Sequence, residues 1–101
     1  MADYYLVEMV NGPAWDDSRP RREQAGWDDH AGFMDGLAKE GFVVLGGPFG
    51  EGEGDGALLV TAGQSEDDVR ARLAADPWRD TVLTLKSIRP WSIWLRGLRP
   101  A

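Results

Sequence analysis

The chain has 101 residues, 43% of them hydrophobic, a formal net charge of −6 and no cysteine. That length fits one ordinary domain, residues 1–101, and leaves no room for a second; the acidic balance argues against an extended nucleic-acid or anionic-membrane footprint, although Arg19, Arg21 and Arg22 form a small basic cluster. Without cysteine there is no disulfide framework, thiolate nucleophile or Cys-ligated metal; with no signal-peptide pattern at the start and no apolar run near the roughly 20 residues that span a bilayer, a cytosolic protein without membrane contact is expected.

Residues 4–10, Tyr-Tyr-Leu-Val-Glu-Met-Val, are rich in β-formers and run into the turn formers Asn11, Gly12 and Pro13, which predicts a first strand. A loop follows. Ser18 is placed to cap a helix whose early turn tolerates Pro20, and the secure part of that helix is residues 26–40 with Gly41 as its C-terminal cap. Gly26, Gly32 and Gly36 weaken it, so an irregular start before Trp27 is anticipated. Residues 42–45 form a short apolar run between glycines, a pattern that fits a second strand buried on both faces. The glycine-rich acidic segment 49–56 has no apolar side chain beyond Phe49 to pack with and is expected to be a flexible surface connection. Residues 57–62 predict a third strand.

Ser65-Glu66-Asp67-Asp68 reads as a capping box that opens a second helix, with Val69 and Leu73 on its apolar side and an end at Asp76-Pro77. Residues 81–95 carry two apolar alternations broken by Ser87 and Arg89, which predicts a last strand with a bulge near the break. Strand, helix, strand, strand, helix, strand is the ferredoxin-like βαββαβ order: an α+β fold with two helices on one face of a four-stranded antiparallel sheet. Strand one is apolar on both phases, and two helices cover only one face. The other face is therefore expected to pack on a second copy as a homodimer. Residues 92–101 make a C-terminal tail whose Ile93, Trp94 and Leu95 are too apolar for solvent, so it should pack on its own or the partner subunit.

The only histidine, His30, shares one helical side with Trp27, Met34, Leu37 and Gly41 and is predicted to point inward, where a buried imidazole needs a hydrogen-bond partner. Asp76 continues the Val69 and Leu73 stripe and is also predicted to point inward, against both the cost of burying a carboxylate and the repulsion of a helix C-terminus. In this fold the two helices lie side by side, so the two groups can meet. A carboxylate beside an imidazole fixes its tautomer, which makes His30 the candidate general acid/base and Asp76 its orienter. Trp27, Met34, Phe49, Trp78 and Trp91 are candidates to line an apolar pocket for a ring. Glu51, Glu53 and Asp55 fail as a calcium loop because Ala62 falls at the closing position. Neither a dinucleotide fingerprint, a nucleophilic triad nor a transition-metal ligand set is legible, so no cofactor and no metal are expected.

A helix carrying the histidine, then Glu-Gly-Phe-Val-Val-Leu-Gly-Gly-Pro, then Ala-Asp-Pro-Trp, then Ile-Arg-Pro-Trp, together resemble the YciI-like (YCII-related) family of the dimeric α+β barrel superfamily, over residues 4–91. The resemblance implies a sheet-to-sheet dimer, active-site roles for His30 and Asp76, and a place beside them for Gly47 and Pro48. Members with characterised activity act on small cyclic compounds, for instance eliminating chloride from a chlorinated hydroquinone. Many carry an arginine three residues before the histidine; Trp27 stands there in this chain, which points to a more apolar ligand. The leading reading is a cofactor-free isomerase, lyase or dehydrochlorinase type of enzyme acting on a small cyclic or aromatic metabolite. The alternatives are a non-catalytic small-ligand-binding or accessory domain and a cofactor-independent monooxygenase.

Overall fold

The computed structural model describes residues 3–97. Four strands, β1 (Tyr4–Asn11), β2 (Val43–Pro48), β3 (Ala57–Thr61) and β4 (Leu83–Trp91), form one antiparallel sheet in the order β2-β3-β1-β4. Two helices, α1 (Trp27–Lys39) and α2 (Glu66–Leu73), complete the ferredoxin-like βαββαβ arrangement. Alternation along β1 sets the two faces. Val7 stands opposite Leu59 and Ile88, and Met9 opposite Ala57 and Leu85; these side chains form one core with Leu37 of α1 and Val69 and Leu73 of α2. The break in β4 is a register shift at Glu8/Met9, where Lys86 is the extra residue opposite β1.

Local chemistry fixes the helix ends. Gly26, at φ 77°, starts α1 in a left-handed conformation that glycine adopts without penalty. At the other end the Phe42 N–H donates to the Leu37 carbonyl and the Gly41 N–H to that of Ala38, both at 3.0 Å, with Gly41 at φ 83°. That is a Schellman motif, and its two apolar flanks, Leu37 and Phe42, are both buried. In α2 the Asp68 N–H donates to Ser65 Oγ at 3.0 Å, as the capping box predicts, while Asp68 Oδ2 accepts from the Gln64 N–H one residue earlier than a standard box.

Several expectations are corrected. Ser18 caps no helix: its N–H and hydroxyl both donate to Asp16 Oδ1, and the segment before α1 is only a 3₁₀ turn, Arg21–Glu23. The second helix ends at Leu73, so Asp76 sits in the turn beyond it and escapes the position at the helix end that the stripe predicted. β2 is an edge strand, with Val43 buried but Val44 and Leu45 exposed, instead of a strand buried on both faces. Segment 49–56 is tied down rather than loose. The Phe49 N–H donates to the Gly56 carbonyl, Asn11 Nδ2 to that of Gly54, and Arg21 to those of Glu53 and Gly56. Gly56, at φ 89°, lies so close to the Met9 carbonyl that no side chain fits there.

On the sheet face away from the helices, Leu6 is flanked by Val60 and Arg89, Tyr4 by Trp91, and Val10 by Thr84. Val10 is 37% and Leu45 58% exposed in the single chain. The described part of the tail divides: Ile93 is half-buried and its N–H donates to Asp3, whereas Trp94 and Leu95 are 90% and 92% exposed and do not pack on their own subunit, and the Arg96 guanidinium pairs with Asp3. Residues 98–101 of the tail lie outside the described residues. Among the described residues no helix is long and apolar enough to cross a membrane.

Candidate functional site

His30 is one of two buried residues of α1, 7% exposed, and it meets Asp76, which reaches it from the turn after α2: His30 Nδ1 lies 2.8 Å from Asp76 Oδ1. A carboxylate oxygen accepts, so Nδ1 carries a proton and Nε2 is the ring nitrogen left to exchange one. Asp76 is itself held. Its Oδ1 also accepts the Trp78 N–H at 2.9 Å, and the Asp76 N–H donates to the Leu73 carbonyl at 3.1 Å, so the turn after α2 aims the carboxylate inward. This supplies the partners that burial of an acidic group demands.

Trp78 fixes the imidazole plane. Its ring stacks on that of His30 with centroids 4.0 Å apart and 7° between planes, and its Nε1–H donates to the Ala25 carbonyl at 2.7 Å. Trp27 packs at a tilt against both rings, with centroids 5.9 Å from His30 and 5.6 Å from Trp78. The imidazole is thus oriented by a carboxylate at one edge and an indole across one face.

His30 forms part of the wall of a cleft of about 260 Å³ between α1 and the edge strand β2. Its α1 wall is Trp27, His30, Met34, Asp35 and Ala38; its β2 wall runs through Val43–Pro48; Met9, Ala57, Leu59 and Leu83 form the floor. Trp27, Met34, Gly47 and Pro48 therefore stand in one cleft with His30. Asp76 stands behind the imidazole and does not reach the cleft surface. Phe49, Trp78 and Trp91 do not line it. Phe49 lies past the end of β2, Trp78 is sealed behind His30 at 1% exposure, and Trp91 is on β4, the opposite edge of the sheet.

One cleft residue was not singled out for chemistry by the sequence. Arg21 is 5% exposed and lines the cleft, with Nε donating to the Glu53 carbonyl and Nη2 to the Gly56 carbonyl, both at 2.9 Å, and its guanidinium 5.4 Å from the Trp15 ring. Burial lowers its pKa from the ordinary value, and the Glu53 charge opposes that shift. The sequence signal was the basic cluster, but nothing in it separates Arg21 from the exposed Arg19 and Arg22. Among the described residues no group of three or more His, Cys, Asp or Glu is arranged to hold a metal ion.

An α+β domain with a buried His–Asp pair opening on a small, mostly apolar cleft is the class that fold and site define. Compared with protein-family models, curated proteins and solved structures, the chain matches none of them.

Proposed function

We propose that the chain is a YciI-like enzyme that uses His30 and Asp76 for proton transfer on a small cyclic or aromatic metabolite in the cytosol. The 2.8 Å contact of His30 Nδ1 with Asp76 Oδ1, at the wall of the cleft, carries this reading. In the proposed step His30 Nε2 takes a proton from a C–H or O–H of the bound ring and returns it elsewhere on the ring or to a leaving group. Asp76 keeps Nδ1 protonated throughout, so an imidazolium formed on the way meets a carboxylate at one edge and the Trp78 face beside it. Elimination and isomerisation both follow from this single proton movement and need no redox partner.

The working unit in this proposal is a homodimer joined through the open sheet face, and the exposure of Val10, Leu45 and Trp91 supports it. The test of the catalytic pair begins with ¹⁵N NMR of the imidazole in the native protein and in Asp76→Asn. A native Nδ1–H tautomer that is lost or mixed in the variant is expected; an imidazole indifferent to Asp76 defeats the reading. Phenols, quinones and lactones are then screened for turnover. With a substrate in hand, His30→Gln should lower kcat by about 10²–10⁴-fold with binding largely kept, whereas a loss of affinity alone would mark a binding domain.

A further inference from the structure

The ligand of the cleft is legible one step further, in Arg21. A guanidinium is seldom buried without an anion beside it. Arg21 is 5% exposed, yet among the described residues no carboxylate lies within 4.0 Å of it, and the Glu53 charge acts on it only from beyond that distance. Its five N–H donors fall on three nitrogens. Nε and one hydrogen of Nη2 are spent on the Glu53 and Gly56 carbonyls, which fixes the side edge of the fork against the backbone of segment 49–56. Trp15 packs near the guanidinium. What remains is the end-on pair formed by Nη1 and the second Nη2 hydrogen, the pair that meets both oxygens of a carboxylate.

We propose that the cleft binds a small ring carrying a carboxylate, with Arg21 pairing that carboxylate at one end while the ring lies against Met34 and Leu59 and turns its far edge to His30. This rests on the reading of the cleft as the ligand site and names its substrate class. It also departs from the more apolar ligand that Trp27 alone pointed to, because the cation reaches the cleft from the 3₁₀ turn and not from α1. Asp35 is the one acidic side chain of the cleft lining; it is exposed at the mouth, where solvent and salt screen its repulsion of an entering anion. Pre-fixing of the guanidinium by two backbone carbonyls and an indole removes most of the ordering cost of binding.

Benzoate and its uncharged analogue benzamide are the probes. Titration of the native protein, followed by the Arg21 Nε–H and Met34 methyl NMR signals, should show benzoate binding at least about tenfold more tightly than benzamide, as a charge-assisted bidentate contact requires. Arg21→Gln should erase that preference while benzamide binding persists. Since Arg21 also anchors segment 49–56, the native-protein comparison stands alone if the variant does not fold. Equal affinity for the two probes, or no shift at either signal with benzoate, overturns the proposal. Neither outcome touches the His30–Asp76 reading, which is decided by the imidazole tautomer in the ligand-free protein.

Discussion

At the scale of single residues, Asp76 carries two duties through one oxygen. Oδ1 accepts from both His30 and the Trp78 backbone, so its removal orphans two buried donors at once. An unmade buried hydrogen bond costs about 1–3 kcal/mol, and Asp76→Ala should therefore destabilise the fold by about 2–5 kcal/mol, read as a lowered midpoint in urea. Asp76→Asn keeps an acceptor oxygen and should cost less while still disturbing the imidazole. An exposed contrast is Asp16. The Ser18 hydroxyl and then its N–H hold the Asp16 carboxyl below its ordinary value of 3.8, against desolvation, with the charge of Arg19 the least of the four influences. A depressed carboxylate contributes its stabilisation above the unfolded pKa and loses it as pH falls through the folded one. The turn at Asp16 should accordingly stay intact down to pH 3.8 and loosen only below it. Carboxyl NMR titration should find Asp16 below 3.8 in the native protein and raised toward it in Ser18→Ala.

At the scale of elements, what was legible in the sequence is what repeats. The spacing of Trp27, His30, Met34 and Leu37 gave α1 its inward side, and His30 and Leu37 are its buried residues. The chain order gave the topology, because only a few arrangements bury two helices on four strands. Asp76 was legible as an inward group for the wrong local reason: the helical stripe was extended past Leu73, whereas the carboxylate is aimed by the turn that follows. Arg21 was not legible, because its burial depends on carbonyls at Glu53 and Gly56, more than thirty residues away. The glycines divide in the same way. At Gly56 a side chain would meet the Met9 carbonyl at a positive φ, so Gly56→Ala should destabilise by more than about 1 kcal/mol through strain in the β1–β3 pairing. At Gly47 a Cβ would meet nothing within 4 Å, yet the residue lines the cleft. Gly47→Ala should leave the thermal midpoint nearly unchanged and weaken ligand binding, an opposite pairing of effects that calorimetry and a ligand titration together resolve.

At the scale of the whole molecule, the open sheet face sets the last expectation. Two half-buried leucines, Leu6 and Leu58, lie on it with Val10 and Leu45, and one ion pair, Glu8 with Lys86 at 3.3 Å, lies at its β4 side. An apolar face of this kind on a small acidic chain favours a partner that presents the same surface, since a two-fold axis makes each contact count twice. Val10 is the position to probe, being outward on the central strand β1, away from the cleft and from the His30–Asp76 pair. Val10→Glu leaves the core untouched, so its effect on the subunit's own fold should stay within about 0.5–1 kcal/mol. In a dimer the same change brings two carboxylates into one apolar interface. At about 1.4 kcal/mol or more for each copy, the dissociation constant should rise at least about a hundredfold, which sedimentation velocity over a dilution series measures directly. A native protein that sediments as a monomer throughout that series defeats the dimer proposal. The exposed Trp94 and Leu95 would then have no second subunit to cover them, and the His30 cleft would have to work with the walls of a single chain.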